Sequence, residues 1–288
     1  MENKKYMPHG QHHGQGNSEE EQKLRMQQEM NILKNLNQIK HKVMVMSGKG
    51  GVGKSTVTAN LAETFRKQGL EVGILDADIH GPNIPKLFAT DNEMVKVEDN
   101  KFQPVLSESG IKLMSIAYML QEKDSSIIWR GPQKIGAIRQ FISDVNWGQL
   151  DVLLIDNPPG TGDEPLTVMQ TIPILDAVIM VTTPNGLSKE DVYKSVNFAN
   201  TLNKDNIGLV ENMAYYICPH CGEELNIFGA HDGEAFAKEL GIDYIESIPV
   251  AEDISKSADN MTVASNVNKD IEEKFNNIAK IIEDKYFK

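Results

Sequence analysis

The octapeptide Gly48-Lys49-Gly50-Gly51-Val52-Gly53-Lys54-Ser55 constrains this chain more than any other feature. It satisfies the phosphate-binding template G-x-x-x-x-G-K-[ST], and its flanks have the right character. Lys42 to Met46 reads as a short buried strand, and Thr56 to Lys67 has helical spacing with Ala59, Ala62 and Phe65 turned inward. Glycines in such a loop let backbone N–H groups converge on phosphate oxygens, and the following helix N-terminus adds partial positive charge aimed at the same anion. Lys54 then contacts the β- and γ-phosphates and Ser55 the Mg²⁺, while Gly48, Lys49, Gly50, Gly51, Val52, Gly53 and Thr56 complete the cradle. The alternative is a plain glycine-rich turn, which the flanking strand and helix disfavour.

A length of 288 residues with 40% hydrophobic content is enough for one large α/β core. The formal charge of −12, from 29 basic and 41 acidic residues without a basic cluster, argues against a nucleic-acid surface. No apolar stretch approaches the roughly 18 to 20 residues of a membrane span, so the expectation is a cytoplasmic protein without membrane insertion. Its two cysteines, Cys218 and Cys221, are spaced for metal or redox chemistry rather than for a disulfide framework.

Three segments are expected. Residues 1–17 carry His9, His12 and His13 among polar residues and read as a disordered arm, with divalent-metal binding as the alternative to a plain tail. Residues 18–40 read as a helix opened by the capping box Ser18-x-x-Glu21, with Met26, Met30, Leu33 and Leu36 on its apolar face, packed beside the main domain. Residues 41–288 form a single domain in which strands alternate with helices. Val72 to Leu75, Val152 to Ile155, Ala177 to Val181, Ile207 to Val210 and Tyr244 to Ile248 are its clearest strands, and the alternation predicts a mostly parallel, twisted sheet with helices on both faces. Pro104 to Leu106 and Lys112 to Ile116 are expected to form a local antiparallel appendage. Near the C-terminus, Ile271, Phe275, Ile278 and Ile282 make an apolar stripe read as core packing, because the surrounding acids and bases are evenly mixed rather than forming a basic membrane face.

Ligands of an open α/β sheet collect beyond the carboxyl ends of its strands, where two acidic segments fall. Asp76-Ala77-Asp78 follows the second strand, and either carboxylate is a candidate to orient an attacking water or hold a metal shell; an acidic N-cap for the next helix is the alternative. Asp156 ends another strand as a Walker B carboxylate would. It precedes Asn157-Pro158-Pro159-Gly160-Thr161-Gly162-Asp163, a loop able to sense a γ-phosphate, with backbone freedom at Gly160 and Gly162.

Over residues 40–288 the chain resembles the Mrp/ApbC family of deviant-Walker P-loop ATPases, relatives of MinD and nitrogenase iron protein. The resemblance rests on Gly48 to Thr56, Asp76-Ala77-Asp78 through Asn83-Ile84-Pro85, Asp156-x-Pro158-Pro159-Gly160-Thr161-Gly162-Asp163 and Glu211-Asn212-Met213. It implies that Lys49 reaches across a homodimer to the partner's nucleotide, a catalytic role that the sequence alone leaves level with a solvated loop residue. It also implies that Asn212 contacts adenine and that Pro249-Val250 packs near the base. Two departures stand out. Asn157 replaces a frequent Thr, and Phe228-Gly229-Ala230-His231-Asp232-Gly233 replaces a more glycine-rich stretch.

Cys218-Pro219-His220-Cys221 supplies two thiolates where a zinc ion or an iron–sulfur cluster takes about four ligands. Zinc, a dithiol redox pair and a cluster shared between two subunits all fit that deficit. The family resemblance favours the third, a [4Fe–4S] cluster bridging a homodimer. The function it implies is an ATP-binding, slowly hydrolysing carrier that transfers the cluster to apo iron–sulfur proteins. The alternatives are a MinD-like positioning ATPase with structural zinc at the cysteines, and an electron donor like nitrogenase iron protein, whose cluster cysteines are more widely spaced.

Overall fold

The central strand β1 (Ile39–Ser47) is buried on both faces from Val43 onward, so its apolar residues run consecutively instead of alternating with polar ones. Val43 and Val45 face one core layer and Met44 and Met46 the other, as the two-residue pleat requires. The computed structural model describes residues 16–119, 131–254, 263, 266 and 268–288. The histidines assigned to the N-terminal arm lie outside the described residues.

In chain order the elements are α1 (Gly16–Leu36), β1, α2 (Lys54–Lys67), β2 (Val72–Asp76), α3 (Ile84–Leu87), β3 (Lys96–Glu98), β4 (Lys101–Gln103), β5 (Val105–Leu106) and β6 (Lys112–Ser115). There follow α4 (Gly131–Asp144), β7 (Leu150–Asp156), α5 (Asp163–Thr171), β8 (Ala177–Thr182), α6 (Gly186–Thr201) and β9 (Ile207–Glu211). The last are β10 (Tyr216–Ile217), β11 (Glu224–Leu225), α7 (Gly233–Leu240), β12 (Asp243–Ser247) and α8 (Lys269–Tyr286). The eight-stranded sheet has the order β12-β9-β8-β1-β7-β2-β6-β5 and is parallel throughout except for β5. Helices α2 and α8 cover one face, and α1, α4, α6 and α7 the other. The chain is thus an α/β protein of the expected doubly covered kind. The parallel strands end on one edge, where Asp76 pairs with Asp156 and Thr182 with Glu211, while β1 runs two residues beyond Val45, the partner of Asp156, to end at Ser47.

The C-terminal stripe is core: Ile271, Phe275, Ile278 and Ile282 are at most 1% exposed. No helix among the described residues is long and apolar enough to cross a membrane.

Three expectations need correction. The helix begins at Gly16, ahead of Ser18, so Ser18 does not open it, and it ends at Leu36, leaving residues 39 and 40 to β1. Its inward face is also different, since Met26, Met30 and Leu33 are 67%, 66% and 55% exposed while Ile32, Asn35 and Leu36 are buried. Asn35 fixes the orientation: its Nδ2 lies 3.1, 2.7 and 3.0 Å from the carbonyls of Ile142, Ser143 and Val145, at and just past the end of α4. Finally, the appendage expected over residues 104–116 is only half local. β6 joins the main sheet parallel to β2, burying Leu113 and Met114 on opposite faces, and β5 alone runs antiparallel at the edge.

Candidate functional site

The loop after β1 turns through left-handed backbone at Gly51 (φ 80°) and Gly53 (φ 83°), and Gly53 is the N-cap residue of α2. The first-turn N–H groups of α2 therefore open toward a cleft of about 450 Å³. Lys49 to Thr56 line it with Ser47, and Asp78, Lys86, Pro159 and Met213 complete its mouth. Gly53 is required for a second reason. A Cβ there would stand 2.2 Å from Asn212 Nδ2, whose amide donates to the Val52 carbonyl at 2.8 Å.

Asp156 is the hub beneath this loop. It is completely buried, and Lys54 Nζ lies 2.7 Å from its Oδ1. Ser55 Oγ donates to Oδ2 at 2.6 Å and Thr58 Oγ1 to Oδ1 at 2.8 Å. Thr58 is missing from the sequence reading, although its place one helical turn after Lys54 puts it on the same face of α2. Cation, hydroxyls and carboxylate thus converge beneath the phosphate-binding loop, and the Ser55 and Asp156 oxygens are hard ligands of the type that suits Mg²⁺.

Asp76 lies beside Asp156 in the register of β2 with β7 and is also completely buried. Ser115 Oγ donates to one oxygen and the Asp78 N–H to the other, each at 3.2 Å. Burial first, then the charge of Asp156, push its carboxyl well above the usual carboxylate range, with Lys54 opposing. Asp78 is 8% exposed, lines the cleft and accepts from the Gly81 N–H at 3.1 Å. Neither caps the next helix, whose N-cap residue is Asn83.

The raised native pKa of Asp76 has a measurable consequence. The folded state holds the proton more tightly than the unfolded state, so ionisation costs stability above the native pKa, and that cost vanishes below the unfolded value of about 3.9. Asp76→Asn is therefore expected to raise Tm at pH 7 by about 2–4 °C, on the usual scale of one stabilising substitution. Melts at pH 7 and pH 4 check this; an equal gain at both would remove charge as the cause.

The second loop carries Gly160 at φ 87°, with its N–H on the Ser47 carbonyl at 2.8 Å. Asn157 is fully buried, donates to the Ile155 carbonyl at 3.3 Å, and leaves Oδ1 without a hydrogen-bond partner. Behind the loop, Lys134 of α4 bridges His80 Nε2 at 2.5 Å and Glu164 of α5 at 2.8 Å, joining the two acidic segments. Burial raises the Glu164 carboxyl, but the Lys134 hydrogen bond and charge outweigh it and hold the group below its ordinary value. Lys134, Glu164 and Lys86 are further residues that the motifs do not reveal.

Asn212, 4% exposed, sits under the loop at the end of β9, and Met213 follows at φ 54° in the cleft wall. Val250, in the segment expected near the base, donates its N–H to the Tyr215 carbonyl at 2.6 Å. The chain then forms the β10–β11 hairpin, whose turn carries the cysteines. The Gly222 N–H donates to the Cys218 carbonyl and the Cys218 N–H to the Glu223 carbonyl, each at 2.9 Å. Both thiols are free, Cys218 half-buried and Cys221 exposed. The backbone N–H groups of Cys221 and His220, with the Cys221 side chain, hold the Cys218 thiol below its ordinary pKa, which favours the thiolate that metals bind. Ile217, Leu225, Ile227 and Phe228 are exposed around them by 42 to 55%. Among the described residues no group of three or more His, Cys, Asp or Glu is placed to hold a metal ion.

The iron–sulfur cluster carrier protein of Methanocaldococcus jannaschii is 52% identical over 228 residues, 79% of each chain. A nucleotide-binding protein from Archaeoglobus fulgidus, solved with ADP, superposes with a TM-score of 0.74 at 43% identity, covering 83% of this chain and 94% of that one. The MinD cell division protein of Aquifex aeolicus shares the fold with a TM-score of 0.62 at 20% identity, covering 85% of this chain and 97% of that one. Residues 38–283 match the ParA model, described as the NUBPL iron-transfer P-loop NTPase. With the phosphate loop and its buried aspartate hub at the strand ends of the main sheet and the cysteine hairpin following β9, the chain belongs to the NUBPL iron-transfer P-loop NTPase family.

Proposed function

We propose that this protein is an ATP-binding, slowly hydrolysing homodimer that carries a [4Fe–4S] cluster between subunits and delivers it to apo iron–sulfur proteins. The observation that carries this reading is the cysteine hairpin. Two free thiols, one in an environment that favours thiolate, are displayed among exposed apolar side chains, and one chain supplies half of a four-cysteine set. A second copy supplies the other half, and burying Ile217, Leu225, Ile227 and Phe228 would help hold the pair together.

At the cleft, the N–H groups of Gly50 to Ser55 and Lys54 bind the phosphates; Ser55 and Asp156 would hold a Mg²⁺, which would supply further positive charge to the phosphate oxygens. Asp78 faces the cleft and so is better placed than Asp76 to orient the water that attacks the γ-phosphorus as the bond to ADP breaks. Lys49 acts on the partner's nucleotide, which ties hydrolysis to dimerisation. Asn212 positions the loop through Val52 and reads adenine through the rest of its amide. The MinD-like positioning role is less well supported, because the α8 stripe that would meet a membrane is core.

Anaerobic reconstitution with iron and sulfide, followed by iron, sulfide and zinc analysis per dimer, tests the reading. About four irons and four sulfides per dimer are expected. One zinc without labile sulfide would overturn it.

A further inference from the structure

We infer that His231 is a positioning residue that clasps the cysteine segment to the nucleotide-bearing strand end, so that nucleotide occupancy sets the reactivity of Cys218 and Cys221. This rests on the proposed role of the cysteines, although its test uses the metal-free thiols.

The segment leaves β9 at Asn212 and returns to the same place. His231 Nδ1 lies 2.9 Å from Glu211 Oε2, so the excursion that leaves at Asn212 returns to the last residue of β9. The Glu211 side chain is 2% exposed and that of His231 33%, so the hydrogen bond reaches from the surface to a buried carboxylate. Tyr215 packs its ring 5.4 Å from the His231 ring. The return is tight: a Cβ on Gly233 would stand 2.9 Å from Glu211 Oε2, and one on Gly229 would stand 2.8 Å from the Pro184 carbonyl. Asp232 adds a second tie, with both carboxylate oxygens 2.6 Å from Lys189 Nζ on α6. That pair is open to solvent on both sides, with side chains 26% and 43% exposed, which screens its charges.

The other end of the excursion touches the nucleotide site directly. Asn212 holds the Val52 carbonyl of the phosphate loop, and Met213 lines the cleft in a left-handed backbone that residues with side chains seldom adopt. The first limb is fixed to the end of β12 through the Ala214 N–H on the Ile248 carbonyl and the Val250 N–H on the Tyr215 carbonyl. A shift of the phosphate loop therefore enters the segment at Asn212 and Met213. With the second limb clasped at Glu211, the hairpin must follow the strand end. With it released, the limb bearing Cys221 can move independently. His231 and Asp232, adjacent in the chain, thus make two separate anchoring contacts.

The experiment compares alkylation rates of Cys218 and Cys221 by iodoacetamide in the full chain, without nucleotide, with Mg²⁺–ADP and with a non-hydrolysable ATP analogue. Wild type is expected to change rate between states by about fivefold or more, the lower end of allosteric coupling. His231→Gly is expected to bring that ratio to within about 1.5-fold of unity while nucleotide Kd stays within about twofold. His231→Asn, whose Nδ2 can donate where Nδ1 does, is expected to restore it. If His231→Gly does not fold, Asp232→Asn is read instead and should reduce the ratio by about half. A nucleotide-independent rate in wild type, or a full ratio retained in the variant, overturns the inference. Metal stoichiometry on reconstituted wild type tests the cluster reading separately, so the two can fail independently.

Discussion

Lys54→Met is expected to lower ATP affinity by on the order of 10²–10³-fold and to lower Tm by on the order of 10 °C. Two causes act together. The ammonium is the only side-chain cation within ion-pair distance of Asp156 among the described residues, and both side chains are almost or completely shielded from water, at 7% and 0% exposure. Methionine fills the volume but leaves the carboxylate with only the hydroxyls of Ser55 and Thr58, and breaking a buried pair from one side costs about 3–5 kcal/mol. The double variant Lys54→Met/Asp156→Asn separates the effects. It should recover most of the stability, because no uncompensated charge remains, but none of the affinity, because the phosphates still lack their cation. ATP affinity within tenfold of wild type in Lys54→Met would show that the cleft is not the nucleotide site.

The parts of this site that could be read from the sequence are those set within a few residues. The phosphate loop, the strand before it and the helix after it follow from local spacing, and Lys54, Ser55 and Asp156 do meet. Thr58 escapes the motif because its role depends on β7 bringing Asp156 over the first turn of α2. Asp76 and Asp78 cannot be told apart as residues. The difference arises when β2 takes its place between β7 and β6, placing Asp76 beside Asp156 and Ser115 and leaving Asp78 at the cleft. The face of α1 was misread for a related reason. Methionines at helical spacing suggest burial, yet carbonyls around the end of α4 hold Asn35 inward and leave the methionines exposed. His231 was visible only as a departure from a pattern, since its partner Glu211 is twenty residues away in the chain.

Replacing Cys218 and Cys221 together with serine is expected to reduce iron in reconstituted protein from about four per dimer to near zero while nucleotide Kd stays within about twofold. Serine keeps the size of the side chain but stays protonated at neutral pH and offers no soft ligand. Neither cysteine is part of the core, so the stability change should lie within about 0.5 kcal/mol. Loss of nucleotide binding together with iron would mark the pair as a structural metal site instead. Mixed dimers give a sharper test of where the ligands come from. A wild-type subunit paired with the double variant retains two thiolates, too few for a bridging cluster, so the mixed dimer should bind no iron. A site completed within each chain would instead keep half the metal in the mixed dimer. The bridging model therefore predicts that metal content falls as the square of the wild-type subunit fraction when subunits mix randomly, whereas a self-contained site predicts a linear fall.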